Sequence, residues 1–558
     1  MQPITILFGT ETGNSEYCAN ELSNDLKKQG VACDVFDMDD YPHERLSQER
    51  LLLIVTSTYG NGDPPVNAYE LMKHLSEDAP NLTGVPFGVC GLGDSSFQLF
   101  AQCGKDFDRL LGELGGDRVL KRVDCDGDYE VLFAKWSKAV LSYVSEHGEQ
   151  FAPVEAKKAS VANTGLFAKV KGWFSGKTAV SDIPSAVPTP AVLQGTRDNP
   201  VVVPLLQSRL LSKEGSQKET RHYVIDITDT PLTFQPGDCF GVYPSNCPNE
   251  VQSVIDLLGE PADVFVQWQG ERRVLEEVLT KSACLLSVTM RLVERLGIES
   301  GAAQQALESD ESALTQYLAS RCVWDALSEH LPRSIGAQEL VDALRPIQPR
   351  LYSVANSPLQ TPNEVHFTVE TTRYRLNNRE MKGVASCWLS ERAHQTGIPM
   401  YLQANTLFRL PHRDTSIIMI GAGTGIAPFR AFLQERHATK AEGKNWLFFG
   451  NQTQSNDFLY EEELQGFLMD GTLDALTCAW SRDTDQKVYV QDRLRDEASM
   501  VWEWIEQGAV VYVCGDASGM APGVHAALVT IVERHGVADG EQFLQEMEAS
   551  QRYLRDVY

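Results

Sequence analysis

Short apolar runs of strand length, each ending in a loop rich in glycine and hydroxyl side chains, dominate the first hundred positions. ITILF (4–8), LLLIVTST (51–58) and PFGVCGLG (86–93) are apolar at successive positions, the pattern of parallel strands buried on both faces. Helix-like stretches separate them, the first reaching Lys28. This alternation predicts a doubly wound α/β domain. From about 150 to 198 the periodicity fails and Lys, Ala, Ser and Pro take over, with DIPSAVPTPAV reading as a stiff tether. Inside it Leu166, Phe167, Val170, Trp173 and Phe174 fall at helical spacing beside Lys169, Lys171 and Lys177. Such a basic amphipathic stretch suits docking on a neighbouring domain, or weak membrane contact. TRHYVIDI and FQPGDCFGVYP, within 199–245, predict a small antiparallel barrel. Residues 250–345 turn to helical periodicity, and strand character returns at 350–353 and at VHFTVE (365–370). TSIIMI (415–420) then opens a second alternation, in which NWLFFG, ALTCAWSR and AVVYVCG are strands. The predicted division is 1–148, a linker over 149–198, a barrel domain over 199–411 with its helical insertion at about 250–345, and 412–558.

Charge and cysteine usage narrow the partners. The 558 residues carry 49 Lys+Arg against 76 Asp+Glu, a net charge of -27. Such a field repels nucleic acid and anionic membrane and attracts basic faces. Residues 1–150 hold 25 acidic and 12 basic side chains, a net of -13, so the first domain is the most acidic part. That excess reads either as a solvated face or as a rim that steers a basic acceptor. Twelve cysteines, no two closer than eight residues, exclude a CxxC pair, a zinc ribbon and an iron–sulfur run. MQPITILFGT is not a secretory leader and no long apolar segment follows, so the expectation is a cytoplasmic protein without a stable membrane anchor.

The loops carry the chemistry. Gly9, Thr10, Glu11, Thr12, Gly13, Asn14 and Ser15 join a buried strand to a helix start, where backbone N–H groups and hydroxyls can hold a phosphate without a lysine. Taken alone, this is equally an ordinary capped turn. Two more strand ends face the same edge of the sheet, one with Ser57, Thr58, Tyr59 and Gly60, the other with Leu92, Gly93, Asp94, Ser95, Ser96, Phe97, Gln98, Leu99, Phe100 and Ala101. Tyr59 and Phe97 flanking a phosphate loop suggest a planar ring between them. Arg350, Leu351, Tyr352 and Ser353 share one strand, and Gly383, Val384, Ala385 and Ser386 open a helix that offers N–H groups to an anion. A salt bridge and core packing would explain the same residues. Gly421 to Gly425 precede Pro428, so Gly423, Thr424 and Gly425 let the backbone approach a pyrophosphate. Ser481, Arg482, Lys487, Val488, Tyr489, Val490 and Gln491 follow a later strand, and their cations favour a nucleotide with a 2'-phosphate.

The three loops of the first domain resemble those of flavodoxins, and the later motifs resemble ferredoxin-NADP reductases. Together the chain is similar to the diflavin reductases, above all the flavoprotein components of bacterial NADPH-sulfite reductases, through KNWLFFGN, DFLYEEEL, AWSRD, KVYVQDRL, YVCGD and RYLRDVY. The resemblance implies a flavodoxin-like FMN domain, an antiparallel β-barrel FAD domain and a Rossmann-like NADP domain. It implies that electrons pass from NADPH through FAD and FMN to a haem-containing acceptor, the sulfite reductase haemoprotein. The alternatives are a soluble reductase for a haem monooxygenase or another redox partner, and a non-catalytic flavin-binding scaffold. By the same resemblance Thr368, Val369, Glu370 and Tyr374 contact FAD. Ser386, Cys514 and Asp556 surround the nicotinamide and flavin, and Tyr558 stacks on the flavin face. Two departures from the resemblance are expected to matter: strand one starts at residue 4, without the segment that precedes the flavodoxin in that family and takes part in oligomer assembly, and Ser518, Gly519, Pro522 and Gly523 stand where that family tends to carry polar or charged nucleotide-binding residues.

Overall fold

A computed structural model describes residues 3–59, 62–95, 99–127, 129–151, 194–296, 311–329 and 335–558. Most of the predicted linker, its basic stretch at 166–177, and Gly60, Ser96, Phe97 and Gln98 lie outside these. The first sheet is parallel and contains β1 (Ile4–Gly9), β2 (Cys33–Asp37), β3 (Leu52–Ser57), β4 (Pro86–Leu92), β5 (Asp117–Arg118) and β6 (Val123–Cys125). Its order is β2-β1-β3-β4-β5, with β6 also on β4. Alternation along β3 sends Leu53 and Val55 to one face, with Leu22 and Leu26 of α1 (Asn14–Lys28), and Leu52 and Ile54 to the other, with Phe107. Burial on both faces is why these strands read as continuous apolar runs. α1 begins after Gly13 at φ 96°, a left-handed conformation that glycine adopts without strain, and Lys27 and Lys28 complement its C-terminal dipole.

The second unit holds two facing antiparallel sheets. One contains β7 (Val201–Val203), β10 (Cys239–Val242), β13 (Arg350–Ser353) and β17 (Ile398–Gln403), in the order β13-β10-β17-β7. The other contains β8 (Leu205–Leu210), β9 (Thr220–Asp226) and β14 (Glu364–Glu370), in the order β14-β9-β8. Tyr223, Phe240 and Phe367 pack between them. The predicted barrel is thus an open pair of sheets among the described residues, and the chain crosses between them at Pro204, which has no N–H to continue a ladder. The insertion is helical as its periodicity predicts, except for a hairpin of β11 (Phe265–Trp268) and β12 (Glu271–Val274). Gln269 and Gly270 turn it with φ of 50° and 84°, the signs a two-residue hairpin loop needs. A second hairpin, β15 (Arg373–Leu376) with β16 (Arg379–Lys382), precedes the helix Val384–Glu391.

The third sheet is parallel, β18 (Ile417–Ala422), β19 (Asn445–Asn451), β20 (Ala475–Trp480), β21 (Val510–Gly515) and β22 (Tyr553–Val557), in the order β20-β19-β18-β21-β22. The strand order reverses between β18 and β21, where doubly wound sheets open a crevice at their carboxyl ends. The first unit docks on the second. Val131 joins the core of the helical insertion, Arg345 donates to the Tyr129 hydroxyl at 3.1 Å, and Arg291 pairs with Glu21 and, at 3.1 Å, with Asp25. No helix among the described residues is long and apolar enough to cross a membrane.

Candidate functional site

The carboxyl ends of β1, β3 and β4 carry the first group of predicted residues. Thr10 Oγ1 accepts the Gly13 N–H at 2.9 Å, and the Thr10 N–H donates to Asn67 at 2.8 Å, which fixes the loop at the start of α1. The Ser15 hydroxyl is fully buried and has no hydrogen-bond partner, as suits a donor waiting for an anion. Glu11 accepts the Val66 N–H at 2.7 Å and the Gln403 side chain of the second unit at 3.0 Å; burial pushes its pKa up to about 7. The Thr58 N–H donates to Leu92 O at 3.0 Å and Thr58 Oγ1 accepts the Cys103 N–H at 3.2 Å, so the second and third loops share one frame. A methyl on Gly93 would meet Ala101 N at 2.7 Å, which holds the third loop close to the helix that follows it. Of the two aromatics expected to flank a ring, Tyr59 lies beside these loops and Phe97 falls outside the described residues.

The second group occupies the facing sheets. Arg350 is exposed, while Tyr352 packs on Phe367 with ring centroids 5.6 Å apart. The Thr368 hydroxyl lies 2.6 Å from that of Tyr460, Glu370 pairs with Lys218 at 2.7 Å, and Tyr374 is exposed on its hairpin. A polar cavity of about 360 Å³ opens between Ser216–Glu219 and Glu370–Arg373. The third group surrounds the β18–β21 crevice. A methyl on Gly425 would stand 2.1 Å from Cys514 O, and one on Gly421 would stand 2.8 Å from the Phe429 ring, so neither position admits a side chain. Arg482 reaches Gln217 at the rim of that cavity, Lys487 is exposed, and Gln491, whose amide nitrogen lies against Gly523, keeps a buried, unpartnered Oε1. The departures at 518–523 have local reasons. Asp516 caps the helix Met520–Arg534 by accepting N–H bonds from Gly519 at 2.6 Å and Met520 at 3.0 Å, and Gly523 leaves room for Gln491.

All three units converge on Asp556. β22 places it beside Cys514 of β21, with the thiol 3.9 Å from Oδ2. The same Oδ2 accepts the Ser353 hydroxyl at 2.9 Å, and Oδ1 accepts the Tyr59 hydroxyl at 2.9 Å. Asp556 is 4 % exposed, and burial raises its pKa above the ordinary value. Burial likewise pushes the Cys514 thiol well up, so it is a neutral group here and not a thiolate. Tyr558 is held rather than frayed: its N–H donates to Gly515 O at 3.1 Å, its carbonyl accepts from Ala517 at 3.2 Å, and its hydroxyl lies 2.8 Å from Thr424 Oγ1. The residue as a whole remains 61 % exposed. Of the serines singled out in the sequence, Ser353 is the one that bonds Asp556, while the Ser386 hydroxyl accepts the Thr372 N–H at 3.0 Å in the first turn of the helix Val384–Glu391.

The residues present fit the three implied groups. The unpartnered Ser15 hydroxyl suits the FMN phosphate, the polar cavity beside the Gly383 helix start suits part of FAD, and the Gly421–Gly425 cradle with the unpartnered Gln491 oxygen suits the dinucleotide. Comparison with known families bears this out at the level of domains. The flavodoxin family matches residues 6–136, the FAD binding domain family matches 194–309 and 309–388, and the oxidoreductase NAD-binding domain family matches 419–526. Among curated proteins, the "Sulfite reductase [NADPH] flavoprotein alpha-component" of Vibrio parahaemolyticus is 38% identical over 562 residues, covering 100% of this chain and 86% of the relative. The proteins of the same description from Klebsiella pneumoniae and Escherichia coli K12 are each 39% identical, again over 100% of this chain and 90% of the relative. With domains that bind FMN, FAD and NADPH in that order and full-length relatives at 38–39% identity, the chain belongs to the family of sulfite reductase [NADPH] flavoprotein alpha-components and is an NADPH-dependent diflavin reductase.

Proposed function

We propose that NADPH delivers its electrons beside Asp556, and that they leave through the FMN loops to a haem-containing partner, the sulfite reductase haemoprotein. The observation that carries this reading is one buried carboxylate touched by all three units: Cys514 of the NADPH unit, Ser353 of the FAD unit and Tyr59 of the FMN unit. When bound, the nicotinamide supplies a hydride and the two flavins pass its electrons on singly. Residues 1–148 would hold FMN, 199–411 FAD and 412–558 NADPH, with 149–198 as the tether. Thr10, Thr12 and Ser15 with the N–H groups of Gly13 and Asn14 would hold the FMN phosphate. Tyr59 would pack on its ring, and the strand ends after Ser57 and Leu92 would enclose it. Arg350 and the Gly383–Ala385 helix start would bind the FAD phosphates, with Tyr352 and Tyr374 against its rings. Ser481, Arg482, Lys487, Tyr489 and Gln491 would hold the 2'-phosphate side of NADPH, above the Gly423–Gly425 turn.

In this reading Asp556 and Ser353 orient the reacting centre and hold a proton beside it. The Cys514 thiol lies beside Asp556. Tyr558, tethered at both backbone ends but exposed, would cover the flavin face until nicotinamide displaces it. The test is reconstitution. The full chain mixed with a sulfite reductase haemoprotein should turn NADPH and sulfite into sulfide, and omission of either protein should abolish the product. A chain that holds both flavins and reduces ferricyanide, yet never reduces that haemoprotein, would refute the partner and leave the reductase.

A further inference from the structure

The phosphate loop has an electrostatic problem that its own unit does not solve. Thr10 to Ser15 contain no lysine or arginine, and the loop is bracketed by Glu11 and, in the first turn of α1, Glu16. A phosphate monoester brings nearly two further negative charges into that setting. The compensating cation is Arg197, at the end of the 149–198 tether but held by the FAD unit, whose Tyr243 hydroxyl donates to its carbonyl at 3.0 Å and whose family match begins at residue 194. Arg197 lies so close over Gly13 that a methyl there would be 2.1 Å from Nη2, and the same nitrogen pairs with Glu16 at 2.8 Å. Gln348, also of the FAD unit, lies beside it against Gly13. Two residues along the same loop, the Ser15 hydroxyl is fully buried without a partner.

We propose that the FMN phosphate is shared between two units: N–H groups and hydroxyls from the first, the Arg197 guanidinium from the second. Resting on the reading of Thr10–Ser15 as the phosphate loop, this makes FMN a fastener as well as a carrier. Bound FMN adds an anion for Arg197 when the units are docked, and docking adds a charge-assisted hydrogen bond to FMN. By reciprocity each strengthens the other by the same factor.

The test titrates FMN and riboflavin, which lacks the phosphate, into the full chain stripped of its FMN, reading the quenching of flavin fluorescence. Arg197→Gln should raise the Kd for FMN about tenfold, as loss of one charge-assisted hydrogen bond does. It should leave the Kd for riboflavin and the FAD content unchanged, and flatten the salt dependence of FMN binding. Arg197→Lys should recover part of the loss. If Arg197→Gln binds FMN like the wild type while Ser15→Ala has weakened it, Arg197 has no such role and the loop reading stands. If Ser15→Ala also leaves FMN untouched, the loop reading falls with it. Equal losses for FMN and riboflavin in Arg197→Gln would mark a merely structural arginine and overturn the proposal.

Discussion

Asp556→Asn isolates the chemistry of the convergence point. The substitution keeps the volume of the side chain. It also keeps one acceptor for the Ser353 and Tyr59 hydroxyls, each 2.9 Å away, and those hydroxyls can rotate to accept from the new amide. The cost in stability should therefore be about 1 kcal/mol. What disappears is a charge and a proton site. Loss of one preorganised polar contact at a reacting centre costs on the order of 10²–10³ in rate. We expect the rate constant for FAD reduction by saturating NADPH, read anaerobically by stopped-flow absorbance, to fall by that factor while the Kd for NADPH holds. Ser353→Ala should cost about tenfold, and the double variant little more than Asp556→Asn alone, because both act through one hydrogen bond. The pH profile gives a second reading. Burial raises the Asp556 pKa, so a reaction that needs the ionised carboxylate declines on the acid side at a pH above the ordinary aspartate value, and Asp556→Asn should lack that limb. A variant that reduces FAD within twofold of the wild-type rate, with the limb intact, would refute the reasoning.

Two further outcomes are expected. Arg482→Ala with Lys487→Ala should raise KM for NADPH by about two to four orders of magnitude and leave NADH nearly unaffected, since two cations near a 2'-phosphate contribute about 1.5–3 kcal/mol each as charge-assisted bonds; equal losses in steady-state kinetics would remove both from that role. Docking of the FMN unit should tighten severalfold as pH falls from 8 to 6: burial pushes Glu11 and Glu21 up to about 7 from an ordinary 4.5, so the state that buries them binds protons over that window and gives them up as pH rises through about 7. A scattering radius that grows on acidification would show the sign to be wrong.

Local signals are legible in the sequence. The run ITILF became β1 and the stretch to Lys28 became α1 with that same last residue, since a buried strand and an amphipathic helix are each dictated by neighbours along the chain. The hairpin at 265–274 was hidden because its strands are four residues each, inside a Leu- and Glu-rich segment, with only Gln269-Gly270 to mark the turn. The site was legible loop by loop but not as a constellation. Ser353 and Asp556 meet only because the FAD and NADPH units pack together, and no periodicity reports that. Nor does the sequence show that the Ser386 hydroxyl accepts the Thr372 N–H, a bond set by the hairpin that precedes its helix.

The acidic character of the first unit changes meaning once its partners are known. Glu16, Glu21 and Asp25 run along α1, and in the docked arrangement they face Arg197 and Arg291 of the same chain. A basic protein drawn to that helix therefore meets a rival already in place. Because the rival is joined by a linker, it acts at an effective concentration on the order of millimolar, against the micromolar or lower level of a free protein. Salt weakens both contests alike, so ionic strength alone does not choose between them. A redox partner that used this helix would have to outcompete two arginines of the same chain.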